Sequence, residues 1–186
     1  LAFLAVFLAT RQFDFLTLAG MARTGELNHA LIEHLGWKGL SGRALVLVIF
    51  GGAFLGFAVK IPIVPFHTWL PTTYAKAPSS VTMLLTGVMS KMGVYGFLRV
   101  LLPVFPEPAR WMLKPLLLLA VCTIVLSAFA AFAQRDIKRM LAYSSVNHLG
   151  YCVLAMLAVF SGREAVVDGS LQRAAALDGV LLQMFN

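Results

Sequence analysis

The chain has 186 residues, of which 60% are hydrophobic and only 12% charged, and its mean hydropathy is +0.85. That composition excludes an ordinary soluble domain and a disordered one, and it marks an all-α, polytopic membrane protein. The net charge of +7 does not point to nucleic acid, because the basic residues are scattered between apolar segments and form no aromatic-interleaved patch.

A span needs roughly 20 residues of helix to cross the hydrocarbon core, so five or six spans fit. Leu1 to Ala9 is apolar without the charged flank or cleavage site of a signal peptide. It reads as the end of a truncated span (1–9), and 176–186 reads as the start of another. The chain is therefore expected to be an internal fragment, a single membrane domain cut from a longer protein. From Thr10 to Gly42 the charges are mixed: Asp14, Glu26 and Glu33 balance Arg11, Arg23 and Lys38. Leu27, Leu31 and Leu35 recur every four residues there and predict a surface or interfacial helix.

A broken span is expected over 43–70, where Lys60-Ile61-Pro62-Ile63-Val64-Pro65-Phe66-His67 interrupts the apolar run. Two prolines three residues apart remove backbone donors and clash with the preceding turn, so a helix cannot pass unbroken. Length alone leaves two readings open. Arg43 to Lys60 makes about 27 Å of helix, nearly a full span with Lys60 snorkelling at its end; alternatively the helix is discontinuous and resumes toward Trp69-Leu70-Pro71 with Lys60 just before the break.

The next span, 78–102, carries Lys91 about 20 Å from its start and about 12 Å before Arg99, too deep for easy snorkelling. Gly87, Ser90, Gly93 and Gly96 on the same segment are small residues that let another helix approach and shield the amine. No Asp or Glu lies between Glu33 and Glu107. A buried ammonium must then lose its proton or find a counter-charge elsewhere, which is the chemistry of proton transfer.

Residues 112–133 form a span whose hydroxyl side chains, Thr123 and Ser127, are expected to pack. The loop that follows, Gln134 to Arg139, holds three basic residues and marks the cytoplasmic or matrix side. Thr10 to Gly42, Pro103 to Trp111 and Ser161 to Ala175 then fall on the other side. The span 139–160 opens with Tyr143-Ser144-Ser145-Val146-Asn147-His148, which places His148 about 13 Å deep. An imidazole there either relays protons or packs with hydrogen bonds among Ser and Asn. His67, beyond the prolines, either joins the path or simply meets headgroups beside Trp69. Cys122 and Cys152 have no metal-ligand or disulfide spacing and are expected to be small core residues. No iron–sulfur, haem or flavin motif occurs, and no metal site is expected.

The string Val59 to Pro71 and the segment Ser90-Lys91-Met92-Gly93-Val94-Tyr95-Gly96 resemble the antiporter-like membrane subunits of NADH:quinone oxidoreductase, respiratory complex I. So do Asp136 to Ser145, His148-Leu149-Gly150 and the closing Leu177 to Asn186. The order and spacing are similar to the subunit M, or chain 4, group from about residue 10 onward. The resemblance implies a larger bundle built from inverted repeats, with broken helices at its pump sites, tolerated at depth where protein or trapped water satisfies the backbone. It favours the discontinuous helix at Lys60. It also implies that Lys60 pairs with a glutamate on an earlier helix outside these residues, and that Lys91 continues a water-filled path joined by His148 and, less directly, His67. The family usually shows Asp-Ala-His after the tryptophan-leucine-proline, whereas Thr72-Thr73-Tyr74 stands here.

Implied with the family are partners: other membrane and peripheral subunits, including neighbouring antiporter-like ones, and the lipid bilayer. NADH, FMN, iron–sulfur clusters and quinone are implied in those partners and no cofactor in this chain. The implied location is a bacterial cell membrane, with an organelle inner membrane as the alternative. Moving a charge against about 100 mV costs about 2.3 kcal/mol, and a tenfold change in proton affinity is worth about 1.4 kcal/mol. Swings of about a hundred- to a thousandfold, driven by moving a carboxylate toward or away from an amine, are adequate. A subunit of a multi-subunit cation/proton antiporter, a membrane-bound hydrogenase subunit and a non-pumping scaffold are the competing readings.

Overall fold

In the computed structural model, residues 1–35, 41–161 and 169–185 are described. Lys38, residues 162–168 of the expected loop from Ser161 to Ala175, and Asn186 lie outside the described residues. All regular structure among the described residues is helical: α1 (Ala2–Thr10), α2 (Phe15–Thr24), α3 (Glu26–Leu35), α4 (Gly42–Lys60), α5 (Trp69–Lys76), α6 (Ser79–Val104), α7 (Pro106–Trp111), α8 (Leu113–Phe132), α9 (Ile137–Ser161) and α10 (Gly169–Phe185). Four of these, α4, α6, α8 and α9, are long and apolar enough to cross a membrane. Helix is the form such runs must take in lipid, where each backbone donor and acceptor has to pair within its own segment.

The helices differ from the sequence expectation at three places. α4 stops at Lys60, the chain turns through 61–68, and α5 then runs on to Lys76 instead of ending near Leu70. Pro71 is the third residue of α5, in the first turn, where a missing N–H costs nothing. The stretch 10–42, expected outside the membrane, holds two helices, and α1 with α2 is apolar enough to form one span bent by 76°. The final helix begins at Gly169, seven residues before 176, because Leu171 and the alanines 174–176 are strong helix formers.

The chain divides into two compact units, Leu1–Phe57 with Tyr95–Trp111, and Ala58–Val94 with Met112–Asn186. In the first, α3 packs on α1 and α2. The four-residue repeat is real burial here, with Leu27 and Leu31 almost fully enclosed and Leu35 half-buried. Asp14 caps α2, its carboxylate accepting from the Leu16 and Thr17 amides. Edge-to-face rings bind the rest: Phe50 with Phe105 at 6.1 Å and Phe54 with Phe97 at 5.9 Å.

In the second unit α9 is the central element, touching α5, α8 and α10. Gly150 makes the α8–α9 contact close: a Cβ there would stand 2.9 Å from Ile124 Cγ1. Leu70 and Tyr74 of α5 pack on Ala142 and Val146 of α9 with Trp69 and Leu85 around them. Cys152 is core as expected, but Cys122 is only half-buried, since its side of α8 faces outward beside Val121 and Val125. Lys138 Nζ donates to the Ala77 carbonyl at 3.4 Å, which puts the end of α5 and the start of α6 at the same end of this unit as the basic loop.

Candidate functional site

The first residues of the break, Ile61 to Ile63, are buried by protein, while Pro65 and Thr68 farther along it are exposed. Ile61 and Ile63 are essentially inaccessible, and several of the donors a broken helix would strand have partners. Ile63 N–H donates to the Ala58 carbonyl at 3.0 Å and Phe66 N–H to that of Ile63 at 2.6 Å. Val64 N–H donates to the Thr123 hydroxyl at 3.1 Å, and the Trp69 indole N–H reaches back to the Val59 carbonyl at 3.1 Å. Trp69 therefore closes the end of α4, a role that the expectation of a headgroup anchor did not include.

Gly93 of α6 lies directly against this break. A Cβ built on it would be 3.0 Å from Ile61 Cγ1, 3.2 Å from Lys60 Cβ and 3.4 Å from Ile61 N. The small residue thus brings the α6 backbone against the base of Lys60. The amine-bearing side chain itself is exposed among the described residues, α4 ending with Val59 and Lys60 on its outward side.

Two cavities flank α6. One, of about 280 Å³, is lined by Val59, Lys60, Trp69, Leu70, Leu85, Met89 and Ser90. The other, of about 310 Å³, brings Lys91 and His148 together with Thr86, Ser90, Ser145 and Gln183, walled by Met83, Gly87, Leu149, Cys152 and Met184. Lys91 is half-buried. His148 faces outward on α9 and not into the Ser/Asn cluster that the packing reading required; its Nδ1 is engaged by the Gln183 amide of α10. The amide nitrogen can only donate, so Nδ1 accepts and the neutral ring carries its proton on Nε2.

His67 lines neither cavity. Its half-buried ring lies 6.1 Å from that of Tyr143, tilted by 59°, and its buried Nδ1 has no hydrogen-bond partner among the described residues. Thr72 and Thr73 donate their hydroxyls to the Trp69 carbonyl at 2.8 and 2.7 Å, and Tyr74 is core. Where the family usually has an acidic residue and a histidine, this chain has helix-stabilising and packing groups.

Lys91 is bracketed by two π-helical turns, Leu85–Met89 and Phe97–Leu101. Such widenings of a helix often accompany functional sites. In the first, Ser90 N–H bonds the Leu85 carbonyl five residues back. Thr82, Thr86 and Ser90 each donate a hydroxyl to the carbonyl four residues earlier. That stripe is visible in the sequence as Ser/Thr at four-residue spacing, whereas Gln183 joins the site only through the packing of α10 on α9. Among the described residues no cluster of three His, Cys, Asp or Glu could hold a metal ion.

A family profile described as NADH:quinone oxidoreductase/Mrp antiporter, transmembrane, matches residues 1–170. Subunit M of NADH-quinone oxidoreductase from Rickettsia felis is 44% identical over 124 residues, covering 67% of this chain and 24% of the relative. The Rhodobacter capsulatus subunit M is 38% identical over 170 residues, 91% of this chain and 32% of that protein. Among solved structures, respiratory complex I from Thermus thermophilus with bound NADH is similar at a TM-score of 0.58 and 26% identity, covering 99% of this chain and 39% of the matched one. The chain spans about a quarter to a third of the length of these curated relatives.

Proposed function

Because the chain belongs to the NADH:quinone oxidoreductase/Mrp antiporter membrane family, we propose that it is part of a proton-translocating subunit of NADH:quinone oxidoreductase in a bacterial cell membrane. The observation that carries this reading is the cavity shared by Lys91 and His148 on helices of membrane-spanning length. An amine and an imidazole lining one space can exchange protons through water.

Lys60 is the third exchanging group. It sits at the end of a broken helix, and its outward position fits a carboxylate supplied by another part of the full protein, since a lysine on the lateral face of a span needs a partner. Approach of that carboxylate strengthens the amine's hold on its proton and withdrawal weakens it. His67, which lines neither cavity, is assigned a place on the same route only through its unsatisfied Nδ1. The energy comes from electron transfer from NADH through FMN and iron–sulfur clusters to quinone, all in partner subunits.

The test is Lys91→Ala in the full-length subunit, with the assembled oxidoreductase reconstituted in vesicles. Electron transfer should persist while the protons moved per electron fall. Unchanged pumping would favour a scaffold. The relatives named subunit M favour this assignment over an Mrp-type antiporter, whose proton movement would follow a sodium gradient without NADH.

A further inference from the structure

We propose that a polar pocket at the start of α4 binds the phosphate of an anionic phospholipid drawn from the surrounding membrane. The pocket, of about 390 Å³, lies within the first compact unit. To its wall α4 supplies Arg43, α7 supplies Glu107, Arg110 and Trp111, and α3 supplies Asn28. Gly42 lets α3 close one side, since a Cβ on it would fall 2.6 Å from Ile32 Cδ1. Arg43 is the second residue of a 19-residue apolar helix of membrane-spanning length. The pocket therefore lies at the membrane surface, the level of lipid phosphates and the usual depth of a tryptophan.

Two guanidinium groups on separate helices line this one space. Each has five N–H donors in a planar fork that meets two oxygens of a phosphate side by side, so contacts within the protein do not exhaust it. The Arg43 guanidinium carbon stands 5.7 Å from the centre of the Trp111 ring. Such stacking uses the flat face of the group and leaves its N–H edge for an anion. The same contact works against a choline headgroup, whose quaternary ammonium needs an uncovered aromatic face. Glu107 accepts the Asn28 amide, and one carboxylate against two guanidiniums leaves the described lining with a single net positive charge. A headgroup bearing one net negative charge neutralises it. Basic pockets between membrane helices hold phospholipid headgroups on this principle, and occupancy ties α3, α4 and α7 together.

Because no proton moves in this binding, its test reads stability and not pumping. The unfolding midpoint of the detergent-solubilised full-length subunit is measured with added phosphatidylglycerol, with added phosphatidylcholine and with inorganic phosphate. Phosphatidylglycerol should raise the midpoint by several degrees and the other two by much less. Arg43→Gln and Arg110→Gln should each remove most of the rise, taken from each variant's own midpoint, whereas Arg135→Gln in the basic loop should keep it. Glu107→Gln removes the opposing charge and leaves both arginines in place; it should enlarge the rise, and it gives an answer even where an arginine variant fails to fold. An equal rise with phosphatidylcholine would overturn the charge selection, and an equal rise with inorganic phosphate would make this a free-anion site and overturn the lipid assignment. A rise that survives both arginine substitutions, or that Arg135→Gln abolishes as fully, would place the lipid elsewhere and overturn the proposal.

Discussion

The Thr123 hydroxyl of α8 accepts the Val64 N–H at 3.1 Å and donates to the Leu119 carbonyl at 2.7 Å. One fully buried side chain thereby ties the irregular backbone after Lys60 to a straight, packed span. A broken helix survives inside a bilayer only when its stranded donors find such partners.

Thr123→Val keeps the shape and deletes the acceptor, leaving Val64 N–H buried and unpaired. The expected loss is about 1–3 kcal/mol, read as a lower unfolding midpoint of the detergent-solubilised full-length subunit. Thr123→Ser should retain most of the stability. An unchanged midpoint for valine would mean that the break draws its order from elsewhere.

At the other end of the break, Trp69→Phe preserves the ring against Leu70, Tyr74, Ala142 and Val146 but removes the donor to Val59. The last carbonyls of any helix lack intrahelical partners, so the end of α4 should loosen by about 1 kcal/mol. Faster hydrogen exchange confined to residues near 59–63, with α8 unaffected, would be the signature. Uniform protection would contradict it.

The broken helix and its position were legible because proline chemistry is local: Pro62 and Pro65 forbid a continuous ladder whatever surrounds them. Lys91 and His148 were legible as ionisable groups within apolar runs, and the structure brings them to one cavity. What the sequence could not supply were relations between distant segments. Thr123 reads as a packing residue until its neighbour 59 positions earlier is known. Gln183 reads as an ordinary polar residue of the closing helix until α10 folds back on α9. The π turns beside Lys91 depend on a register choice that residue preferences do not encode. The outward direction of Lys60 is likewise set by tertiary packing, which fixes where a helix end points.

Gly93→Ala tests how closely α6 must approach the break. The added methyl would lie 3.0 Å from Ile61 Cγ1 and 3.4 Å from the Ile61 backbone nitrogen. A side-chain carbon can yield, but the buried backbone at Ile61 can do so only by shifting Lys60. Overpacking of this kind costs about 1–3 kcal/mol. The expected outcome is a lower unfolding midpoint with proton translocation reduced more than quinone reduction. Full retention of both would show that the contact is slack.

His148 and Gln183 form the remaining testable pair. An imidazole held at Nδ1 presents Nε2 in a fixed direction, and one that is free to turn spends much of its time misaligned. Gln183→Leu should therefore lower proton translocation in reconstituted vesicles several-fold, and His148→Ala should lower it further. If the amide acts solely through the ring, adding Gln183→Leu to His148→Ala should cause no additional loss, since groups that work as a unit are not additive. Losses that multiply instead would separate Gln183 from His148 and give it an independent contact in the same cavity.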